Sequence, residues 1–229
     1  MESFALLSVL FCLFRCCAHA DDFHADRPKL LYGTLWHERG GAMSDEARAA
    51  TAALVHSAMR SGFRRIDTAC QPRFYSEAGV GEGWTRAAAE LGLARSDLWI
   101  QTKFTGLRGH DPLSRPYDAD ATLEDRVSQS LDRSLRDLRT DYVDSLLMHS
   151  PEEQWDDHVR IWRAMEAAVD QGLVRQLGLS NVRTVEDAQR AYDEARIKPA
   201  VVQNSFHGRS NHDVKIRAFC REQGIEYQS

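Results

Sequence analysis

Short apolar segments typical of buried strands alternate with longer segments of helical periodicity along the sequence after Asp26. Alternation of this kind implies parallel strands joined by right-handed crossovers. The apolar runs predict strands at 29–36, 64–69, 98–104, 142–148, 173–179, 200–204 and 225–227. Periodicity and capping residues predict helices at 45–60, 76–91, 122–138, 155–171, 184–196 and 211–223, with Ser44, Thr122 and Thr184 as N-terminal caps.

The number and spacing of these units favour an α/β fold of the (β/α)8 TIM-barrel type. No Gly-x-Gly-x-x-Gly follows a predicted strand, so the alternative, an open parallel sheet, lacks the usual phosphate loop. About seven strands and six helices are present, and the seventh strand is cut short. We therefore expect an incomplete barrel with two unpaired edges; a fragment, a truncated isoform and a prematurely ended gene model all remain open.

Composition excludes several classes of function. The 229 residues carry a net charge of -5 with scattered basic side chains, which predicts no nucleic-acid partner. Of five cysteines, three lie within the first twenty residues, and no Cys-x-x-Cys pair or zinc-ligand spacing occurs. We therefore expect no metal site and one barrel domain over residues 27–229.

The first twenty residues are unlike the rest of the chain. An apolar run from Phe4 to Phe14 is broken only by Ser8, and Ala18-His19-Ala20 resembles a cleavage site. The run is shorter than the roughly 20 residues of a membrane span, so no stable span is expected. Because Glu2 is present and no Lys or Arg precedes the run, residues 1–20 are either a signal peptide or a disordered extension.

Polar residues follow three successive predicted strands at the ends that share the mouth of a barrel. Asp67 ends the second strand, Lys103 the third and His149 the fourth, while Tyr75 lies in the loop after the second. An ammonium beside a Tyr stabilises the phenolate, a carboxylate holds the ammonium, and a His orients a carbonyl oxygen. Taken singly, each has a structural alternative: a helix cap or ion pair for Asp67, a solvated Lys103, and a loop contact for His149. Together they predict a site that protonates an oxygen while another group delivers hydride.

The loop at 106–120 is rich in Gly, Pro and Asp. It is longer than the usual connection of about 2–6 residues, which makes it a candidate functional loop.

Several motifs resemble, in chain order from about Leu30 to Ser229, those of the aldo-keto reductase family. They are Gly62-Phe63-Arg64-Arg65-Ile66-Asp67-Thr68-Ala69, Tyr75-Ser76-Glu77-Ala78-Gly79-Val80-Gly81, Gln101-Thr102-Lys103-Phe104, Asp141-Tyr142-Val143-Asp144-Ser145-Leu146-Leu147-Met148-His149-Ser150-Pro151, Gly178-Leu179-Ser180-Asn181-Val182 and Gln203-Asn204-Ser205-Phe206-His207.

The resemblance implies a barrel that binds NADPH without a Rossmann motif, NADH remaining open, and reduces a small-molecule aldehyde or ketone. It implies a monomer in the cytoplasm, unless residues 1–20 direct secretion or organelle entry. The implied catalytic residues are Tyr75 as general acid, Lys103 and Asp67 as its supports, and His149 as the group that places the carbonyl. The resemblance also implies that Ser180, Asn181 and Gln203 bind the nicotinamide carboxamide and that Thr34 and Asp67 contact the ribose. Trp36 and Phe104 would line the substrate pocket, with a core role equally open for Phe104.

Two departures from the family pattern matter. The catalytic Tyr usually falls five residues after the Asp, where this chain has Pro72; the surrounding motif still indicates Tyr75. The segments that stack on nicotinamide and bind the adenosine 2′-phosphate in the family lie beyond Ser229. We therefore expect weak cofactor binding by residues 1–229, and a truncated, non-catalytic binding module is the alternative function, since potassium-channel auxiliary subunits share the family fold.

Overall fold

The computed structural model describes residues 30–35 and 44–229. The candidate leader at 1–20 and Trp36 lie outside the described residues. Within the described part, seven parallel strands form one sheet in sequential order. They are β1 (Tyr32–Gly33), β2 (Arg65–Asp67), β3 (Trp99–Phe104), β4 (Val143–Met148), β5 (Val174–Ser180), β6 (Val201–Gln203) and β7 (Glu226–Gln228).

The sheet curls on itself, as an incomplete barrel requires. Strand order never reverses, whereas a doubly wound sheet reverses at a switch point. Side chains of β7 also reach β2 and β3 across the interior: Arg65 Nη1 lies 3.3 Å from Glu226 Oε1, and Gln101 Nε2 donates to Gln228 Oε1 at 2.9 Å. In the described residues β1 pairs only with β2, and β7 only with β6, which confirms the predicted gap.

Six α-helices of the described chain connect these strands. The predicted caps are confirmed: Ser44, Thr122 and Thr184 each accept a hydrogen bond from a backbone N–H of the first helical turn. Gly92 and Gly224 end their helices in the left-handed conformation. The helices are α1 (Asp45–Arg60), α2 (Glu77–Leu91), α3 (Leu123–Leu138), α4 (Trp155–Asp170), α5 (Val185–Glu194) and α6 (Val214–Gln223).

Several boundaries differ from the sequence prediction. Within the described residues 30–35, β1 spans only Tyr32–Gly33, which pair with Ile66 and Asp67 of β2. α5 ends at Glu194 because Lys198 Nζ donates to the carbonyls that a further turn would use. α6 begins at Val214, since a 3-10 segment over Gly208–Asp213 contains positive-φ residues. The long loop at 106–120 carries a 3-10 turn over Leu107–Gly109.

α2 packs closely on its neighbours through glycines. A Cβ added to Gly81 would lie 3.0 Å from the backbone carbonyl carbon of Leu138 on α3 and closer still to the Asp137 carbonyl oxygen. The two helix backbones therefore meet at a distance that no larger residue at position 81 permits.

A buried carboxyl joins α2 to the sheet. Glu77 accepts hydrogen bonds from Thr102 Oγ1 on β3 at 2.5 Å and from Ser134 Oγ on α3 at 3.0 Å. Burial raises the pKa of Glu77 to about 7, and the two hydroxyl donors only partly oppose that rise. The first turn of α2 is thus fixed by a carboxyl that binds its proton more tightly in the folded protein.

We expect Gly81→Ala to destabilise the fold by about 1–3 kcal/mol, because overpacking outweighs the gain of about 1 kcal/mol in helix propensity. Thermal denaturation measures the effect. Gly208→Ala is the matched control, since a Cβ there meets nothing within 4 Å. Equal melting temperatures for the two variants would contradict the close α2–α3 contact.

The pH dependence of stability tests the Glu77 environment. A raised pKa in the folded state stabilises the protein below the unfolded value of 4.5, and that contribution is lost as pH rises to about 7. We expect wild type to lose up to about 3 kcal/mol relative to Glu77→Gln over this interval. Urea unfolding of both proteins at a series of pH values measures the difference. A difference that does not change with pH would show that the folded and unfolded pKa values coincide.

Candidate active site

The candidate site lies at the carboxyl ends of β2, β3 and β4. Parallel register aligns Asp67 with Gln101, and Lys103 with Leu147. Because successive side chains of a strand point to opposite faces, Gln101 and Lys103 share the interior while Phe104 points to the outer layer. The predicted residues Asp67 and Lys103 therefore meet inside the mouth.

Lys103 and Asp67 form a closed ion pair. Lys103 Nζ donates to both carboxylate oxygens of Asp67 at 2.8 Å and to the Thr68 carbonyl oxygen at 2.8 Å. These acceptors use all three N–H donors of the ammonium. Gln101 Nε2 donates to Asp67 Oδ1 at 2.7 Å from the adjoining interior position. With only 2% of Lys103 exposed, the charge is buried and fully paired.

Tyr75 lies above this pair, half-buried, in the loop between β2 and α2. Its backbone N–H donates to the Gln71 carbonyl at 3.0 Å, which closes a tight turn after Asp67. Lys103 Nζ is 5.4 Å from the centroid of the Tyr75 ring, and the His149 ring centroid is 6.2 Å away. Although Tyr75 comes three residues later than the family pattern places the catalytic Tyr, this turn brings its phenol ring close to Lys103 and His149.

The ionisation of Tyr75 differs from the expectation. Burial raises the pKa of the phenol above its ordinary value, and the negative charge of Asp67 raises it further. The predicted lowering of the Tyr75 pKa by the Lys103 ammonium is wrong, because burial dominates the shift and the Asp67 carboxylate adds to it. Tyr75 therefore holds its proton throughout the neutral range.

His149 follows β4, and three hydrogen bonds fix its position. Its backbone N–H donates to the Phe104 carbonyl, its own carbonyl accepts from Asn181 Nδ2 at 2.7 Å, and its Nδ1 lies 2.7 Å from Thr105 Oγ1. Burial lowers the pKa of His149 to about 3, and the Lys103 charge contributes in the same direction. The imidazole is consequently neutral at physiological pH.

The predicted cofactor residues lie on the same rim. Ser180 and Gln203 end β5 and β6, and Asn181 follows with a positive φ of 56°. The Asn181 N–H donates to the Gln203 carbonyl at 3.1 Å, and its Nδ2 donates to Ser180 Oγ at 3.2 Å. Thr34 is buried and donates through Oγ1 to the Asp67 carbonyl at 3.0 Å. Thr34 thus stands on the β1 side of Asp67, whereas Ser180, Asn181 and Gln203 lie on the other side of the site, beyond β4.

The two predicted pocket residues differ in outcome. Trp36 lies outside the described residues. Phe104 is buried in the core on the outer side of β3 and stacks on Tyr117, with ring centroids 5.8 Å apart. It borders a cavity of about 220 Å³ that Leu123 and Ile161 also line. The geometry supports the core role that the sequence left open for Phe104.

Three further residues touch the site, and sequence reasoning missed them. Gln228 on β7 accepts from Gln101, and Thr105 contacts His149 directly. His110 donates through Nε2 to the Thr105 carbonyl at 3.0 Å, since a carbonyl only accepts. Thr105 could have been found by alternation, because it stands two residues after Lys103. His110 carried no such signal, since it lies in a loop whose path the sequence does not specify.

Metal binding finds no support in the described part of the chain, where no three His, Cys, Asp or Glu side chains gather in a way that could hold an ion. None of the described helices is long and apolar enough to cross a membrane.

Comparison with solved structures gives the same architecture. The chain superposes on an aldo/keto reductase from Brucella melitensis with a TM-score of 0.68 and 28% identity, covering 87% of this chain and 66% of that one. It superposes on a Bombyx mori aldo-keto reductase in complex with NADP with a TM-score of 0.66 and 27% identity, covering 88% and 61%.

Sequence relatives agree with the structural ones. Identity is 33% to the methylglyoxal reductase DkgA of Yersinia pestis, over 78% of this chain and 57% of that protein. It is 32% to a glyoxal reductase of Bacillus subtilis, over 76% and 55%. The chain thus spans little more than half the length of these relatives. The model of the aldo/keto reductase family matches residues 29–227. The chain belongs to the aldo/keto reductase family.

Proposed function

We propose that the protein reduces small aldehydes or ketones to alcohols with NADPH, with Tyr75 as the proton donor. The observation that carries the proposal is the fully paired Lys103–Asp67 couple beneath a protonated phenol, next to a neutral imidazole. These groups provide an acid, a charge that stabilises its conjugate base, and a neutral side chain that can orient an oxygen. NADH is the alternative cofactor to NADPH.

The polar groups on the rim are complementary to a nicotinamide carboxamide. Among the described residues, the Ser180 hydroxyl has no recorded acceptor, and the side-chain carbonyl oxygens of Asn181 and Gln203 have no recorded donor. A carboxamide has two N–H donors and one oxygen acceptor, which this set of one donor and two acceptors matches. When bound, the reduced nicotinamide supplies the hydride.

Proton transfer falls to Tyr75. As the carbonyl carbon gains a hydride, its oxygen becomes an alkoxide that is more basic than a phenolate, and the raised pKa of Tyr75 ensures that a proton is present to give. The phenolate that remains lies near the Lys103 ammonium, because Lys103 Nζ is 5.4 Å from the centroid of the Tyr75 ring. Lys103 limits the free-energy cost of this charge without surrendering its bonds to Asp67 and Thr68.

His149 completes the pair of groups around the carbonyl oxygen. Its ring centroid stands 6.2 Å from that of Tyr75 in an edge-to-face arrangement, so a carbonyl group that reaches one ring is close to the other. A neutral imidazole can donate one hydrogen bond to that oxygen and need not exchange a proton with it. His149 therefore orients the substrate while Tyr75 supplies the proton.

The substrate class rests on the relatives. Proteins named methylglyoxal reductase and glyoxal reductase match this chain, so we infer that small dicarbonyl compounds are suitable first substrates. The monomeric state, the cytoplasmic location and the lack of nucleic-acid partners stay predictions.

Substitution of Tyr75 tests the assigned acid. With the protein expressed from its complete reading frame, we expect Tyr75→Phe to lower kcat/KM for methylglyoxal about 10²- to 10⁴-fold, because the proton donor is lost. NADPH oxidation gives the rate, and fluorescence titration shows whether NADPH still binds. Tyr192→Phe is the matched control, since Tyr192 packs on Phe219 away from the mouth. Wild-type rates in Tyr75→Phe would eliminate the role of Tyr75, and cofactor binding without turnover in wild type would favour a binding module.

The pH profile tests the state of His149. Its lowered pKa of about 3 keeps the imidazole neutral above that value, so we expect kcat/KM to show no ionisation of His149 between about pH 5 and 8. Rates of methylglyoxal reduction across this range, at saturating NADPH, measure the profile. An inflection near pH 6.5 that disappears in His149→Gln would mean that the ring titrates normally.

A further inference from the structure

We propose that the Thr105 hydroxyl fixes the tautomer of His149, so that the ring presents its Nε2–H at the mouth of the barrel. The contact is direct: Thr105 Oγ1 lies 2.7 Å from His149 Nδ1. The imidazole is neutral, so one ring nitrogen carries the proton and the other is an acceptor. Which nitrogen donates depends on the direction of this one hydrogen bond.

The direction of this hydrogen bond follows because the buried Thr105 hydroxyl needs an acceptor for its proton. Thr105 is 4% exposed, and His149 Nδ1 is the only partner recorded for its hydroxyl among the described residues. If Nδ1–H donated to Thr105, the hydroxyl proton would be buried without an acceptor, at the full desolvation cost of that group. If the hydroxyl donates, Nδ1 accepts and Nε2 bears the proton. No described residue bonds Nε2, so that N–H remains available to a substrate oxygen.

The backbone of Thr105 is held independently of His149. Its carbonyl oxygen accepts from Tyr117 Oη at 2.7 Å and from His110 Nε2 at 3.0 Å, and both donors come from the loop at 106–120. Gln71 Nε2 ties the same loop to the Tyr75 turn by donating to the Gly109 carbonyl at 2.6 Å. The long loop thus positions Thr105, and Thr105 sets the ring that orients the substrate.

This inference rests on the proposed function only for its catalytic consequence. A donor at Nε2 is what a carbonyl oxygen gaining negative charge requires, whereas a lone pair there would repel it. Thr105 is accordingly a positioning residue. The tautomer itself is a property of the protein without substrate and can be measured without turnover.

The test is long-range proton–nitrogen NMR on protein labelled with ¹⁵N-histidine at neutral pH, expressed from its complete reading frame. His149→Gln identifies the His149 signals by their loss. We expect wild type to show a single Nε2–H tautomer, Thr105→Ser to retain it, and Thr105→Val to show a mixture of the two tautomers. We also expect Thr105→Val, but not Thr105→Ser, to lower kcat/KM about 10- to 100-fold, the range seen when a metal-bound histidine loses its outer hydrogen-bond partner.

Thr102→Val is the matched control. It removes another buried hydroxyl of the β3 segment, one that donates to Glu77 on the outer face, and should leave the His149 tautomer unchanged. An Nδ1–H tautomer in wild type, or an unchanged single tautomer in Thr105→Val, overturns the inference; the wild-type measurement decides even if Thr105→Val fails to fold. An Nε2–H tautomer without NADPH oxidation would refute the proposed function and leave the inference standing, whereas activity with an Nδ1–H tautomer would do the reverse.

Discussion

The burial of the Lys103 ammonium determines what can surround it. A charge taken out of water costs several kcal/mol unless every donor finds a partner, and Lys103 is 2% exposed. Asp67 and the Thr68 carbonyl supply those partners, and Gln101 Nε2 donates a further hydrogen bond to Asp67. The interior of the barrel at this level is therefore polar, while the layer between sheet and helices is apolar. Tyr75 and His149 acquire their ionisation states from the same arrangement.

Both shifted groups keep the forms that the proposed carbonyl reduction needs. Tyr75 remains a phenol because Asp67 and burial oppose ionisation, and His149 remains neutral because burial and Lys103 oppose protonation. The ion pair thus acts in opposite ways on its two neighbours, through the carboxylate on one and the ammonium on the other.

Sequence patterns predicted the strand order and the meeting of Asp67 with Lys103, because alternation and parallel register follow from periodicity alone. The same alternation could have placed Phe104 outside and Thr105 inside. The fold over 208–213 could not be predicted, since successive positive φ values at Asn211, His212 and Asp213 are not indicated by composition. The sign of the Tyr75 pKa shift also required coordinates, because it is set mainly by how deeply the loop after β2 buries the phenol.

Contacts between β7 and the opposite wall bear on how the protein is made. Gln228 and Gln101 are separated by 127 positions in the chain, and Glu226 and Arg65 by 161. Contacts of such sequence separation form slowly, because the intervening chain must first be ordered. On the ribosome, residues 226–228 emerge long after β2 and β3, so until then Gln101 lacks its β7 partner. The polar interior therefore lacks its β7 contacts until then, and nascent chains exposed at that stage depend on the Lys103–Asp67 pair and the outer apolar layer to remain compact.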